Sequence, residues 1–420
     1  MPPLTGARGA SWRPGFPHPV FVVAALDAMS VGIIVPALPH LVEQLAGSDG
    51  ADPAVWLALL AAAWGAAQFL SAPIMGVLAD RFGRRPVLLA ALAGLACDAL
   101  FMALAPSLGW LLVGRLISGA LAASIIACSA YIIDVSAGDE LARRLGLLGA
   151  AWSAGFIAGP ALGGALADLH LRLPFLVCGA SAAVAWLYAR FRLKESLPIE
   201  RRSTGLVWRR AVPFGGLTAL LRRRALRTHG LVLALAALAD QALPTFFVLY
   251  VLERYGWSAS AAGLALMGLG AARVLAQAVA VAPLTRRYGE PATLVFGLLC
   301  LMLALVVFAV APTGLVFGLA LPIYAAGAVA APALMAILAG RVEREQQGRL
   351  QGASVAVQGA ASAVGPLLFG AAYALNSQNG VPHRGAGAML LGAALLAVAA
   401  TIAHAAARVP PRMPRARSEP

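Results

Sequence analysis

Charge is scarce in this chain. Only 12% of its 420 residues are charged, about half the share of an average soluble domain, which excludes a water-soluble globule of this size. Lysine is almost absent: Lys194 stands alone beside 31 arginines, a bias of coding composition rather than of chemistry. The four cysteines, Cys97, Cys128, Cys178 and Cys300, lie in apolar runs without CxxC or CxxH spacing. Neither a disulfide framework nor a zinc site is expected, and they read as small packing residues. GxxxxGK[ST] is absent, which excludes a P-loop, and so is HExxH, which excludes a zincin. The 44 glycines and 27 prolines are scattered through apolar stretches, so a collagen-like or disordered chain does not fit. Apolar residues make up 60% of the chain and mean hydropathy is +0.82. The composition is that of a polytopic membrane protein.

Runs long enough to cross a hydrocarbon core, about 20 residues each, occupy 19–40, 54–79, 86–105, 108–133, 143–167, 173–191, 229–252, 260–283, 291–310, 313–337, 347–374 and 384–405. The expected fold is therefore all-α, with twelve transmembrane helices in two six-helix, pseudo-symmetric halves. The halves are 1–191 and 229–420, joined by a polar linker over 192–228 that is too short for a soluble domain. The first run carries Asp27 and continues as a full span, unlike a cleavable leader.

Basic residues divide unequally between the two faces. Twenty-seven fall in the termini, the linker and the loops on their side, against Arg172, Arg254 and Arg384 on the other. Because basic residues resist translocation, the arginine-rich face is expected in the cytoplasm, with both termini. This placement explains the net charge of +14 without a nucleic-acid partner, and leaves only a weak attraction of the linker to anionic lipid.

An internal repeat supports the two halves. Gly83 in DRFGRRP matches Gly289 in TRRYGEP, Gly146 matches Gly352, and Gly159-Pro160 matches Gly365-Pro366, each at an offset of 206. Three separated features at one offset indicate duplication of a six-span unit, with a cavity expected between the halves at mid-membrane.

Five charges remain inside the spans: Asp27, Asp98, Arg115, Asp240 and Arg273. Each costs at least about 2.5–3.5 kcal/mol at mid-helix, so function is the default reading. The alternative for Arg115 and for an Asp240–Arg273 pair is a buried ion pair that only fixes packing. Asp27 lies about 12 Å along span one, just before Gly32 and Pro36, where proline frees a carbonyl. An acid beside broken backbone suits a substrate or proton site, with Asp98 as the second candidate. No histidine lies mid-span, so a histidine relay is unavailable. Asp240 and Arg273 fall at similar depth on spans seven and eight and are expected to meet.

The run Gly76-Val-Leu-Ala-Asp80-Arg-Phe-Gly83-Arg84-Arg85-Pro86 resembles the loop signature of the major facilitator superfamily. Gly83 permits a tight reversal and Pro86 suits a first helical turn. The resemblance implies a cytoplasmic lock in which Asp80 lies at the N-terminus of span eleven, around Gly348 to Gly352, and Arg84 pairs with Asp134. Span five reads Gly146-x8-Gly155-x3-Gly159-Pro160-x2-Gly163-Gly164, similar to the signature of drug/proton antiporters. Its small residues allow close helix approach, and Pro160 is expected to bend the helix.

The stretches LDAMSVGIIVPALPHL, QFLSAPIMGVLADRFGRRPVLL, AYIIDVSAGDELARRLG and QGRLQG…VGPLLFGAAYA resemble the tetracycline/proton antiporters of Gram-negative bacteria. That resemblance implies roles in transport for Asp27, Gln68, Asp98 and Arg115, and a polar span-seven position at Gln241. It further implies an inner-membrane protein acting as a monomer, driven by the proton gradient without cofactor or bound metal. A cargo that arrives as a magnesium complex is implied as well. Two positions depart from the family: Arg273 replaces a histidine in span eight, and Leu301 replaces an acid in span nine. Asp240, at a position usually small, is the expected counter-charge to Arg273. The rival readings are a transporter of an endogenous metabolite, a polytopic enzyme and a channel; the absence of a catalytic constellation argues against the enzyme and the six-plus-six repeat against the channel.

Overall fold

The computed structural model describes residues 17–122, 124–136, 139–203, 224–343, 346–378 and 384–408. Most of the expected linker (204–223) and both chain ends lie outside the described residues. Within them the chain is helical, with no strand. Spans one to three are His18–Asp49, Pro53–Phe82 and Arg84–Ala103; span four is Leu108–Leu121 followed by Ser124–Asp134; spans five and six are Asp139–Leu169 and Leu173–Arg192. Span seven comprises Arg224–Ala239 and Ala242–Tyr255, so its helix begins inside the stretch read as linker. Span ten comprises Gly314–Ala326, a 3-10 turn Gly327–Val329 and Ala330–Ala339; spans eleven and twelve are Gln347–Gln378 and Ala386–Ala407.

Among the described residues eleven helices are long and apolar enough to cross a membrane. One of them, Ala259–Val310, has 52 residues. At 1.5 Å per residue it is about 78 Å of helix, more than twice a hydrocarbon core of about 30 Å. Gly289, at φ 80° and ψ 164°, interrupts it. The backbone is nearly that of Gly83, at φ 104° and ψ 163°, which separates spans two and three. Only glycine holds such angles without strain. Spans eight (259–288) and nine (290–310) are therefore two crossings, and the count of twelve stands.

Small residues determine which helices touch. On span five, Gly155, Gly159 and Gly163 lie on one face at intervals of four, against Ala25, Gly32 and Ile33 of span one. A Cβ at Gly159 would sit 2.6 Å from the Gly32 Cα and 2.7 Å from the Met29 carbonyl, so the two backbones are in direct contact. Pro160 is accommodated inside a continuous helix. The neighbouring face of span five meets the second half: Gly164 lies against Ala259, and Pro160 against Gly263 of span eight. Spans two and eleven meet in the same way, Gly65 against Ser362 and Gly370 against Ala58.

These contacts between the halves gather toward the arginine-poor face. Toward the other face, a Cβ at Gly76, Gly146, Gly149, Gly348 or Gly352 would meet nothing within 4 Å. The cross-half hydrogen bonds and ion pairs of Asp168 with Ser260 and of Arg384 with Asp52, among the described residues, also lie on the arginine-poor side. Helix starts on that side carry side-chain caps: Asp52 Oδ1 accepts from Ala54 N at 2.9 Å, Ser107 Oγ from Trp110 N at 3.4 Å and Ser258 Oγ from Ala261 N at 3.2 Å. They satisfy amides that the helix leaves unpaired. Two of the three arginines of this face cap the opposite helix ends. Arg172 donates to the carbonyls of Ala103 and Ala105 at 2.9 and 3.0 Å, and Arg254 donates to that of Ala311 at 2.5 Å.

Candidate functional site

Helix breaks place polar side chains near the middle of the bundle. In the first half the break lies in span four, at Ala122, where ψ turns to 55°. Span one, where the sequence suggested freed backbone beside Asp27, runs unbroken through Pro36 and Pro39. The φ of proline is compatible with helix, and the His40 ring approaches the Pro36 carbonyl at 3.1 Å. Pro36 still lacks the N–H that would pair with the Gly32 carbonyl, and Asp27 also reaches the broken backbone of a neighbouring helix. Its carboxylate accepts from Ser124 Oγ at 2.5 Å, and Ser124 opens the second piece of span four. The Asp27 side chain is buried, with 6% of the residue exposed.

Asp98 is also buried. Arg115 and Ser118 are its polar neighbours. Arg115 directs Nη2 to Met102 Sδ at 3.1 Å. Gln68 is half-buried on span two.

In the second half the break falls at Asp240 and Gln241, which form a turn between the two pieces of span seven. Arg273 Nη2 lies 3.4 Å from Asp240 Oδ1, so the two departures meet. Their side chains are 31% and 42% exposed respectively. The pair is loose and partly exposed. Tyr324 of span ten joins it, donating to Asp240 Oδ1 at 3.2 Å, while the Arg273 guanidinium lies 5.4 Å from the centroid of its ring. Sequence reasoning missed Tyr324, which lies three residues before the 3-10 turn of span ten. Gln241 packs its Cβ and Cγ against Gly365 of span eleven, and Leu301 lies on Gly327 inside that 3-10 turn. Leu301 is buried apolar packing where the resembling family has an acid.

On the arginine-rich face, Arg84 joins two carboxylates: Asp80 at 2.6 Å and Asp134 at 3.0 Å. Among the described residues the charge of Asp80 is met by Arg84 within its own half, and no hydrogen bond from Asp80 to the start of span eleven is seen. A residue the sequence reading did not single out organises the loop. Glu195, just beyond span six, accepts from Arg84 N at 2.9 Å and Arg85 N at 3.3 Å, and approaches Arg202 at 3.7 Å. Gly83 has no side chain to cap span three, so a carboxylate from elsewhere must satisfy those amides. Ser196 completes the contact by donating to Asp134 at 3.0 Å.

Two helical halves around interrupted spans and half-buried charges define a membrane transporter. The sequence matches the Major Facilitator Superfamily over residues 20–314 and 229–420. It is 35% identical to the class C tetracycline resistance protein of Escherichia coli across 89% of this chain and 92% of that protein. It is 37% identical to the class G tetracycline resistance protein of Vibrio anguillarum across 84% and 88%. The fold is shared with solved transporters. The human organic anion transporter MFSD10 (TETRAN) has a TM-score of 0.67 at 24% identity, covering 92% of this chain and 98% of its own. The nucleoside transporter NupG has a TM-score of 0.76 at 14% identity, covering 93% and 99%. The chain belongs to the major facilitator superfamily, in the group that holds the tetracycline resistance proteins. It is a multi-pass membrane transporter and not an enzyme.

Proposed function

We propose that this protein exports a small amphipathic drug from the bacterial cytoplasm in exchange for protons, by alternating access between two six-helix halves. The observation that carries the reading is the loose Asp240–Arg273 pair, joined by Tyr324, at the helix break of span seven. The arginine-rich face is the cytoplasmic one, so the conformation described is open toward the cytoplasm in the inner membrane. Protons move through Asp27, Asp98 or Asp240; Gln68, Arg115, Gln241 and Arg273 line or tune the path. A single copy suffices, because both halves of the pathway lie in one chain. In everted vesicles, export is expected to stop when an uncoupler collapses the proton gradient at constant ATP; export that survives the uncoupler would sink the reading.

Tetracycline is the first cargo to test, given the names of the relatives. A magnesium–drug cation entering the cavity would meet Arg273, whose charge Asp240 offsets at 3.4 Å. The departure at Leu301 favours a second reading, another amphipathic drug or an endogenous metabolite. Expression in an efflux-deficient host decides between them: tetracycline resistance no higher than empty vector removes this cargo.

Asp80, Gly83, Arg84 and Asp134 form the cytoplasmic gate. When the halves close on that side, Asp80 exchanges part of its bond to Arg84 for the positive end of span eleven. Asp80→Asn is expected to leave expression near wild type, since a half-exposed pair contributes at most about 1 kcal/mol, while disabling transport. Wild-type export by Asp80→Asn would remove the residue from the gate.

A further inference from the structure

The third arginine of the arginine-poor face has a different environment from the other two. Arg172 and Arg254 each serve carbonyls within one half. Arg384, at the entry to span twelve, joins the two halves: Nη2 lies 2.5 Å from Asp52 Oδ2 at the start of span two, and Nη1 lies 3.3 Å from Glu253 Oε1 at the end of span seven. Tyr373 of span eleven donates to the other Glu253 oxygen at 2.7 Å. Glu43 of span one lies close enough to Glu253 to repel it electrostatically. One guanidinium thus neutralises acids gathered from both halves. The fork geometry of arginine suits this bridge, which a single ammonium would not reproduce. A second cross-half contact lies on the same face: Asp168 of span five accepts from Ala259 N and Ser260 N, each at 3.1 Å, and from Ser260 Oγ.

We propose that Arg384 is a positioning residue, a latch that holds the two halves closed on the outer face through Asp52 and Glu253 and must release before cargo can leave. Its removal both deletes the bridge and leaves Asp52, Glu253 and Glu43 as like charges across the seam. The closed state then loses an attraction and gains a repulsion, and the population shifts toward the outward-open form. This inference rests on the orientation proposed above, but its readout needs neither cargo nor proton gradient.

The test is accessibility of Ala58→Cys, buried in the closed seam against Gly370, to a membrane-impermeant thiol reagent applied to the arginine-poor face. Background from Cys97, Cys128, Cys178 and Cys300 is subtracted using the chain without that substitution. Arg384→Gln is expected to raise the labelling rate by about fivefold or more, the lower range for coupling between conformational states. Adding Asp52→Asn and Glu253→Gln should bring the rate back toward wild type by removing the repulsion. Asp52→Asn alone keeps the helix cap while breaking one arm of the bridge, and is expected to give a smaller rise; it serves if Arg384→Gln does not fold. Arg172→Gln, whose bonds stay within one half, should not raise labelling. An unchanged rate in Arg384→Gln and Asp52→Asn, or an equal rise in Arg172→Gln, overturns the latch. Failure of uncoupler-sensitive export with state-dependent labelling intact would instead count against the transport reading.

Discussion

Asp240→Asn is expected to abolish uphill export while the protein still inserts. The substitution removes the carboxylate that offsets Arg273 and accepts from Tyr324, leaving the guanidinium with only an aromatic face beside it. Because both side chains are partly exposed, the cost to stability is about 1 kcal/mol rather than the 3–5 kcal/mol of a fully buried broken pair. Transport should fall by at least about tenfold, since under the proposed function the uncompensated guanidinium repels a cationic cargo and the substitution removes a candidate proton carrier. Asp240→Asn with Arg273→Gln restores charge balance, so stability should recover while coupling does not. Transport in proteoliposomes with an imposed pH gradient separates the outcomes. A double variant that accumulates cargo with normal pH dependence shows that Asp240 does not couple protons, and single variants whose effects add show that the pair does not act together.

The second large effect is steric. Gly159→Ala adds a methyl group 2.6 Å from the Gly32 Cα and 2.7 Å from the Met29 carbonyl. Neither neighbour is a side chain that can swing away, so spans one and five must separate. Overpacking of this kind costs about 1–3 kcal/mol, more than the roughly 1 kcal/mol that alanine gains over glycine in a helix. Displacement of span one also moves Asp27 from Ser124. Loss of purified yield, a lowered melting temperature and loss of transport are expected together. Gly146→Ala, on the same helix with nothing within 4 Å of the added carbon, should instead keep or raise stability. Equal behaviour of the two variants would show that the glycine ladder of span five does not set the helix contact.

Much of the site was legible because its parts carry a signal that does not depend on contacts. A charge inside an apolar run is conspicuous wherever it points, which exposed Asp27, Asp98, Arg115, Asp240 and Arg273. The Arg84–Asp134 and Asp240–Arg273 pairings followed from resemblance and from depth, and the partners lie 3.0 and 3.4 Å apart. Tyr324 and Glu195 were not legible. A tyrosine in an apolar span is ordinary packing by composition, and a glutamate beyond span six is ordinary loop charge. Each acquires meaning only when another helix brings a carboxylate or an uncapped helix start to it.

By itself the sequence determined the class of protein, the crossings, the asymmetry of its faces and the charges that must have a purpose. Those features depend on solvent: hydrocarbon requires long apolar helices, and buried charge is expensive in any arrangement. Tertiary structure decided which broken helix stands beside Asp27, that Asp80 meets Arg84 instead of span eleven, and that the halves close on the arginine-poor side. These depend on which of two similar packings the halves adopt. Under the alternating access proposed above the same residues serve both states, so composition and spacing are silent about the choice, and the contacts across the seam make it.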